Sequence, residues 1–446
     1  MNLHQRHPTL AASDPALAEL IGHQITYEST TLKMIASESF APLEVLEASG
    51  SILTNKYCEG YPGARYYEGN EFVDQIEQLA IDRAKECFGA EHANVQPYSG
   101  SPANMAVYRA LCTDGSAEAD RTESRPKAKV MALSLPLGGH LTHGWKASFS
   151  GQDFIQVPYE YNLDTGAIDF DQVREMARRE RPRMIWVGAS SYTRILDYAK
   201  FAEIAREVEA YLVADMAHIN ALIVAGVHPD PVPHCDVVTS TSHKMLCGPR
   251  AGFILSKLED RWRSVYHPVS RMNLAKRIDN GVFPTLQGGP HVHIMAAMAT
   301  AFRRAMTPEF KAYGRQIVAN AKRLAEQLMA KGHRLATGGT DNHIVLIDLR
   351  QSEHSGKEFS EALAKCGILG NFNMVPGDHR KPFITSGVRL GTPSLTGMGM
   401  KEPEMDIVAA WIDEVYRNLG DVDAVATRIR SEIAELCERF PIPGIR

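Results

Sequence analysis

The sequence predicts an α/β fold, with a large domain on a mainly parallel sheet flanked by helices and a smaller C-terminal α+β domain. Three observations carry this. At 446 residues and 44% hydrophobic content, the chain is long and apolar enough for two or three domains. Between residues 72 and 255, short β-branched runs alternate with amphipathic helical patterns, as strands joined by crossover helices require. After about residue 305 helices dominate, and only one strong strand pattern remains.

The elements follow in order. Residues 1–45 hold two short helical patterns and read as an arm rather than a domain. Residues 72–88 place Val73, Ile76, Leu79, Ala80 and Ala84 at helical spacing and stop at Gly89. Residues 114–129 are polar and of low complexity, and read as an exposed loop. Strands are expected at 129–135 (KVMALSL), 154–158, 184–189 (MIWVGA), 211–215 (YLVAD), 236–239 and 252–255, with a crossover helix at 201–210. The large domain is thus placed at 46–305. In the small domain, 306–446, a long helix at 309–331 ends at Gly332. A strand at 343–349 (HIVLIDL) and helices at 356–365, 403–419 and 422–439 follow.

Charge and cysteines narrow the class. The net charge is −5, so nothing calls for a nucleic-acid or membrane partner. Seven scattered cysteines without a CxxC pair argue against a disulfide framework. With no signal-like N-terminus and no run of about 18 apolar residues, this points to a soluble, cytoplasmic protein.

Four segments carry chemistry. In TSTSHKMLCGPR (239–250), Lys244 follows a strand end and a run of hydroxyl residues. Pyridoxal phosphate needs such an amine for its aldehyde, and hydroxyls or amides for its phosphate. In YLVADMAH (211–218) an apolar strand delivers Asp215 to its carboxyl end, where a carboxylate could hold a pyridine nitrogen protonated. NVQPYSGSPAN (94–104) opens a helix with Ser99 and Ser101, a setting for a phosphate. In LGGHLTHG (137–144) two glycines permit close backbone approach, and His140 could stack on a flat ring. His140 and His143 resemble half a metal site, but no further ligand is suitably spaced, so no metal is expected.

Together with MIASESF (34–40), LTNKYCEGYPGARYYEG (53–69), FPTLQGGP (283–290) and TSGVRLGTPSLT (385–396), these segments resemble the serine hydroxymethyltransferase family. The likeness runs from about residue 12 to 420, with the segments in the family's order. It implies a fold-type I pyridoxal-phosphate transferase with a seven-stranded sheet. It also implies a homodimer or dimer of dimers with shared active sites.

The resemblance also implies roles. Lys244 would be the Schiff-base lysine, Asp215 the partner of the pyridine nitrogen, and His140 the ring-stacking group. Ser190 and His218 would lie near the cofactor's 3-oxygen, His218 also near substrate. Ser99, Gly100 and Ser101 would hold the phosphate, with Tyr57, Gly288 and Gly289 of the neighbouring subunit. Arg389 would clamp the substrate carboxylate through its planar fork, with Ser37 beside it. Glu59 would be the acid–base group near the substrate hydroxyl, with Tyr66 and Tyr67 close by. Thr241, His243 and Arg250 would surround the lysine. Tetrahydrofolate, the implied co-substrate, would meet Glu59, Tyr66, Leu135, Gly138, Gly139 and Asn373.

The chain departs from the family's usual residues in four places. It has Ser39 where the family usually has Asn, and Glu68 where a Gly is usual. It has Asn220–Ala221 where Ala-Gly is usual, and Phe372 where a Lys is usual. These keep open an α-methylserine hydroxymethyltransferase and a threonine-type aldolase or transaldolase. A fold-type I aminotransferase and a non-catalytic scaffold are the alternatives of another class.

Overall fold

The computed structural model describes residues 8–113, 127–162 and 165–444; of the expected loop at 114–129, residues 114–126 lie outside them, and Lys129 begins a strand. The chain forms two compact units, Glu44–Arg315 and Met1–Leu43 with Gln316–Arg446.

In the unit Glu44–Arg315, seven strands form one sheet. They are β1 (His92–Asn94), β2 (Lys129–Leu133), β3 (Ile155–Tyr159), β4 (Met184–Val187), β5 (Tyr211–Asp215), β6 (Val237–Thr241) and β7 (Gly252–Ser256). Their spatial order is β1-β7-β6-β5-β4-β2-β3. Only β7 runs against its neighbours, β1 and β6; every other pair is parallel. Six carboxyl ends therefore share one edge, where α/β sheets bind ligands. The central strands are buried along their length, as a sheet covered on both faces requires. Trp186, Tyr211, Val213, Val237 and Ile254 pack with Ala103, Val107 and Leu111 of helix α1 (Gly100–Cys112).

In the other unit, β8 (Ile344–Asp348), β9 (Asn371–Asn373) and β10 (Gly387–Gly391) form an antiparallel sheet in the order β8-β10-β9. Val345, Ile347, Val388 and Leu390 turn one face onto helices Gly356–Lys365, Glu402–Arg417 and Asp423–Arg439. The first 43 residues belong to this unit because Leu32 and Lys33 pair in parallel with Ile368 and Leu369. Leu32, Met34 and Phe40 then enter its core. Among the described residues no helix is long and apolar enough to cross a membrane.

Candidate active site

Most of the predicted residues lie on the loops that leave the carboxyl ends of the large sheet. Parallel pairing sets Asp215, the last residue of β5, beside Thr239 of β6, two residues before that strand's end. Past β6 the chain closes a tight turn. Gly248 N donates to Ser242 O (2.8 Å), Cys247 N donates to Lys244 O (2.9 Å), and Cys247 takes a left-handed φ of 56°. Such a conformation in a non-glycine residue persists only where the surroundings enforce it. From this turn Lys244 Nζ donates to Thr241 Oγ1 at 3.0 Å.

Thr241 also reaches the start of α1. A Cβ on Gly100 would sit 2.8 Å from Thr241 Cγ2, so glycine is what lets the two segments meet. Ser99 is the extended N-cap of α1 (φ −163°, ψ 179°), and its side chain does not cap the helix. The first amides of α1 are thus presented beside the lysine turn, together with the partly exposed Ser99 and the exposed Ser101. A helix of 13 residues that begins this way suits a phosphate.

Asp215 is held from three sides. Its Oδ2 accepts from Asn104 Nδ2 (2.9 Å) and His143 Nε2 (3.1 Å), and its Oδ1 accepts from Ala217 N (3.0 Å). Burial alone would raise its pKa. The His143 hydrogen bond and charge, with His140 and the Asn104 amide, outweigh burial and hold the carboxyl well below the usual carboxylate range. Asp215 is therefore an anion at every working pH.

The same network orients His140. Asn104 Nδ2 donates to Thr142 Oγ1 (2.8 Å), which leaves that hydroxyl to donate to His140 Nδ1 (2.7 Å). Thr142 N also donates to Nδ1 (3.3 Å), so Nδ1 is an acceptor and the proton sits on Nε2. His143 is fixed by stacking on Trp186, with centroids 5.2 Å apart and planes 18° apart. Sequence spacing offered no third metal ligand beside His140 and His143. The fold supplies Asp215, with ligand atoms of all three within 4.8 Å. The hydrogen bonds to Thr142 and Asn104 account for the placement of His140 and Asp215.

The remaining loops close around this edge. Gly138 (φ 98°) accepts at its carbonyl from Ser190 N (2.7 Å) and Ser191 N (3.2 Å). A Cβ on Gly139 would lie 2.1 Å from Leu133 O. The Gly138 bonds tie the Leu135–His140 segment to the loop that carries Ser190, and the Gly139 approach packs it on the end of β2. His218 is buried just past Asp215.

His243 stays neutral. Burial first, then the charges of Lys244 and Arg250, push its imidazole down to about 3, against a weaker pull from the Ala251 hydrogen bond. The unfolded chain takes up this proton near the ordinary histidine value of about 6.5, while the folded chain does not. Stability is therefore lost as pH falls from about 6.5 towards 3. His243→Gln is expected to reduce the fall in thermal midpoint between about pH 7 and pH 5. An unchanged fall would contradict a neutral, half-buried His243.

A second cluster lies in the same unit. Tyr57 Oη donates to Glu59 Oε1 (3.3 Å), and the Tyr57 and Tyr67 rings meet edge to face at 5.1 Å. A Cβ on Gly288 would lie 2.9 Å from Glu59 Oε1, and one on Gly289 would lie 3.1 Å from the Tyr57 ring. Arg65 anchors this loop by bonding Asp74 (2.8 Å), Glu77 (2.5 Å) and the carbonyls of Cys58 (2.9 Å) and Gly60 (2.7 Å). Gln287 links the cluster to the start of α1, accepting from Tyr98 N (3.1 Å) and donating to Gln96 O (2.8 Å). Tyr66 is 74% exposed.

Arg389, Ser37 and Asn373 belong to the other unit. Arg389, on β10, donates from Nε to Asn371 Oδ1 (3.0 Å), its partner across the sheet. Burial pushes the guanidinium down to about 10, so it stays cationic at neutral pH. A Cβ on Gly391 would lie 2.5 Å from Ala36 Cα, which places the Ser37 segment against the end of β10. Asn373 Nδ2 donates to Met374 O (2.7 Å).

Asn104, Thr142, Gln287 and Asn371 were missed by sequence reasoning, and His143 was weighed only as a metal ligand, not as a partner of Asp215. Asn104 and Thr142 lie inside segments already singled out, so the signal was proximity to Ser101 and His140. These residues fit pyridoxal phosphate: a glycine cradle beside a lysine, a helix start, and a carboxylate kept ionised.

The comparisons agree. A family model described as serine hydroxymethyltransferase matches residues 10–412. Serine hydroxymethyltransferase 2 of Mesorhizobium japonicum is 58% identical over 98% of this chain and 97% of its own length. Serine hydroxymethyltransferase of Acidothermus cellulolyticus is 51% identical over 98% of this chain and 97% of its own. That of Sorangium cellulosum is 51% identical over 97% and 96%. None of the three bears the name of an aldolase or an aminotransferase. The chain belongs to the serine hydroxymethyltransferase family.

Proposed function

We propose that Lys244, Asp215, His140 and the start of α1 hold pyridoxal phosphate, and that Arg389 and Glu59 serve the amino acid. The chain interconverts serine and glycine with that cofactor and with tetrahydrofolate as co-substrate. The observation that carries the assignment of residues is the meeting of Lys244, Thr241 and Gly100 at one sheet edge, on the strand next to that of Asp215. When bound, the cofactor supplies an electron sink for the Cα–Cβ bond.

The chain's own residues do the rest. Asp215 keeps the ring nitrogen protonated by remaining an anion, and Asn104 and His143 keep it so. His140, aligned by Thr142, would stack on the cofactor ring. Ser99, Gly100 and Ser101 hold the phosphate, Ser190 and His218 stand by the 3-oxygen, and Arg250 adds charge near the lysine. Arg389 would fix the substrate carboxylate, with Ser37 beside it, and so restrict the amino acid's orientation. Glu59 moves the proton of the hydroxyl that becomes the aldehyde, next to Tyr66 and Tyr67. Leu135, Gly138 and Gly139, and Asn373 of the other unit, would serve tetrahydrofolate. Holoenzyme is expected to exchange serine and glycine only with added tetrahydrofolate, and absence of that exchange would sink this reading.

A two-fold homodimer, alone or as a dimer of dimers, completes the site by bringing Tyr57, Gly288 and Gly289 of one subunit to the phosphate of the other. The exposure of Ile52 (80%), Phe72 (72%) and Tyr57 (56%) supports this, because water-facing apolar residues are costly without a partner. Ile52→Asp combined with Phe72→Asp is expected to give inactive monomers by light scattering; an active monomer would contradict the shared site. The seven free cysteines fit a reducing cytoplasm.

A further inference from the structure

Asn220, one of the four departures from the family, has a side chain that the proposed mechanism does not use. It is fully buried, at 0% exposure, so it does not touch solvent. Its amide is nonetheless committed to the strand that carries the lysine turn. Nδ2 donates to Thr241 O (2.8 Å) and to Ser240 Oγ (3.0 Å), while Oδ1 accepts from Ala221 N (2.8 Å). Burying an amide is unfavourable unless its donors and acceptor are all used, and here they are.

The bonds end at a functional place. Thr241 is the last residue of β6. Its hydroxyl accepts from Lys244 Nζ (3.0 Å), and its methyl abuts Gly100. We infer that Asn220 is a positioning residue that clamps Thr241, and through it sets where Lys244 rests when its amine is released from the cofactor. The inference rests on Lys244 being the cofactor lysine. With that cofactor bound, an incoming amino acid's amine would form its carbon–nitrogen bond at the aldehyde carbon as the bond to Nζ breaks, its two protons would pass to Nζ, and Nζ would leave as the free amine. Thr241 Oγ1 is the acceptor that receives it. Asn220 also lies in the segment following Asp215, so the clamp ties the two strand ends to each other.

The test is the rate at which glycine displaces the lysine, followed in holoenzyme by stopped-flow change in the cofactor's visible absorption. Loss of the clamp in Asn220→Ala is expected to slow displacement about fivefold to tenfold, the scale of one or two hydrogen bonds. The glycine dissociation constant and the thermal midpoint should stay near wild type. Because Asn220 acts through Thr241, the double variant with Thr241→Ala should be no slower than Thr241→Ala alone. Ser240→Ala, which keeps the bond to Thr241 O, should stay within about twofold. An unchanged rate in Asn220→Ala overturns the proposal. So does strict additivity with Thr241→Ala, or an equal loss in Ser240→Ala, which would assign the effect to packing. If Asn220→Ala does not accumulate as folded protein, Asn220→Ser is read against the same outcomes. A failed Lys244 assignment shows itself separately, as an unaltered wild-type-like spectrum in Lys244→Ala.

Discussion

Lys244→Ala is expected to abolish multiple turnover and to leave the amino acid bound at the cofactor. The reason is stoichiometric. Release of product needs an amine to take its place, and the proposal gives that role to Lys244, whose Nζ rests on Thr241 in the turn beside the start of α1. The variant should still fold. Its turn is closed by backbone bonds from Cys247 to Lys244 and from Gly248 to Ser242, and by Ser242 Oγ donating to Pro249 O, all of which survive loss of the side chain. Gel filtration and thermal melting should match wild type, while steady-state serine cleavage falls to background. Sustained multiple turnover in this variant would contradict the assignment.

Arg389→Ala is expected to raise the Michaelis constant for the amino acid by one to two orders of magnitude. A charge-assisted hydrogen-bonded pair contributes roughly 1.5–3 kcal/mol, which corresponds to that range. The guanidinium is positioned before any ligand arrives, because Asn371 takes its Nε and directs the fork. Arg389→Lys keeps the charge and loses the fork, so it should recover only part of the loss. Holding Arg389 away from its place without changing it should act in the same direction: Asn371→Ala is expected to raise the same constant by a smaller factor. An unchanged constant in Arg389→Ala would argue that another group binds the carboxylate.

The strongest parts of the fold were legible because they are local. The run YLVAD at 211–215 is a strand with the expected ends, and so is the helix at 356–365, whose Ser355 and Glu358 form a capping box. Lys244, Asp215 and His140 could be singled out because each follows a strand pattern, and the sheet puts those strand ends on one edge. The expected strand at 129–135 stops at Leu133, because the next residues turn into a short 3₁₀ helix that positions Gly138. Strands β1, β9 and β10 escaped notice: β1 and β9 have three residues each, and β10 begins and ends in glycine.

What sequence could not supply is pairing between distant residues. Leu32 meets Ile368 across most of the chain, which turns an expected arm into part of the C-terminal unit. The bond from Asn104 to Asp215 spans 111 positions, and that from His143 spans 72. A hydrogen bond of this kind has no local periodicity, so nothing in the run SPAN announces that its last residue holds the carboxylate.

The central claim is that position 244 carries the cofactor. Sodium borohydride reduction of holoenzyme makes the link between cofactor and lysine permanent, and peptide mass mapping then locates it. The pyridoxyl mass is predicted on the peptide containing Lys244 in wild type and on no peptide in Lys244→Ala. Recovery of that mass on a different lysine of active wild-type enzyme would contradict the account.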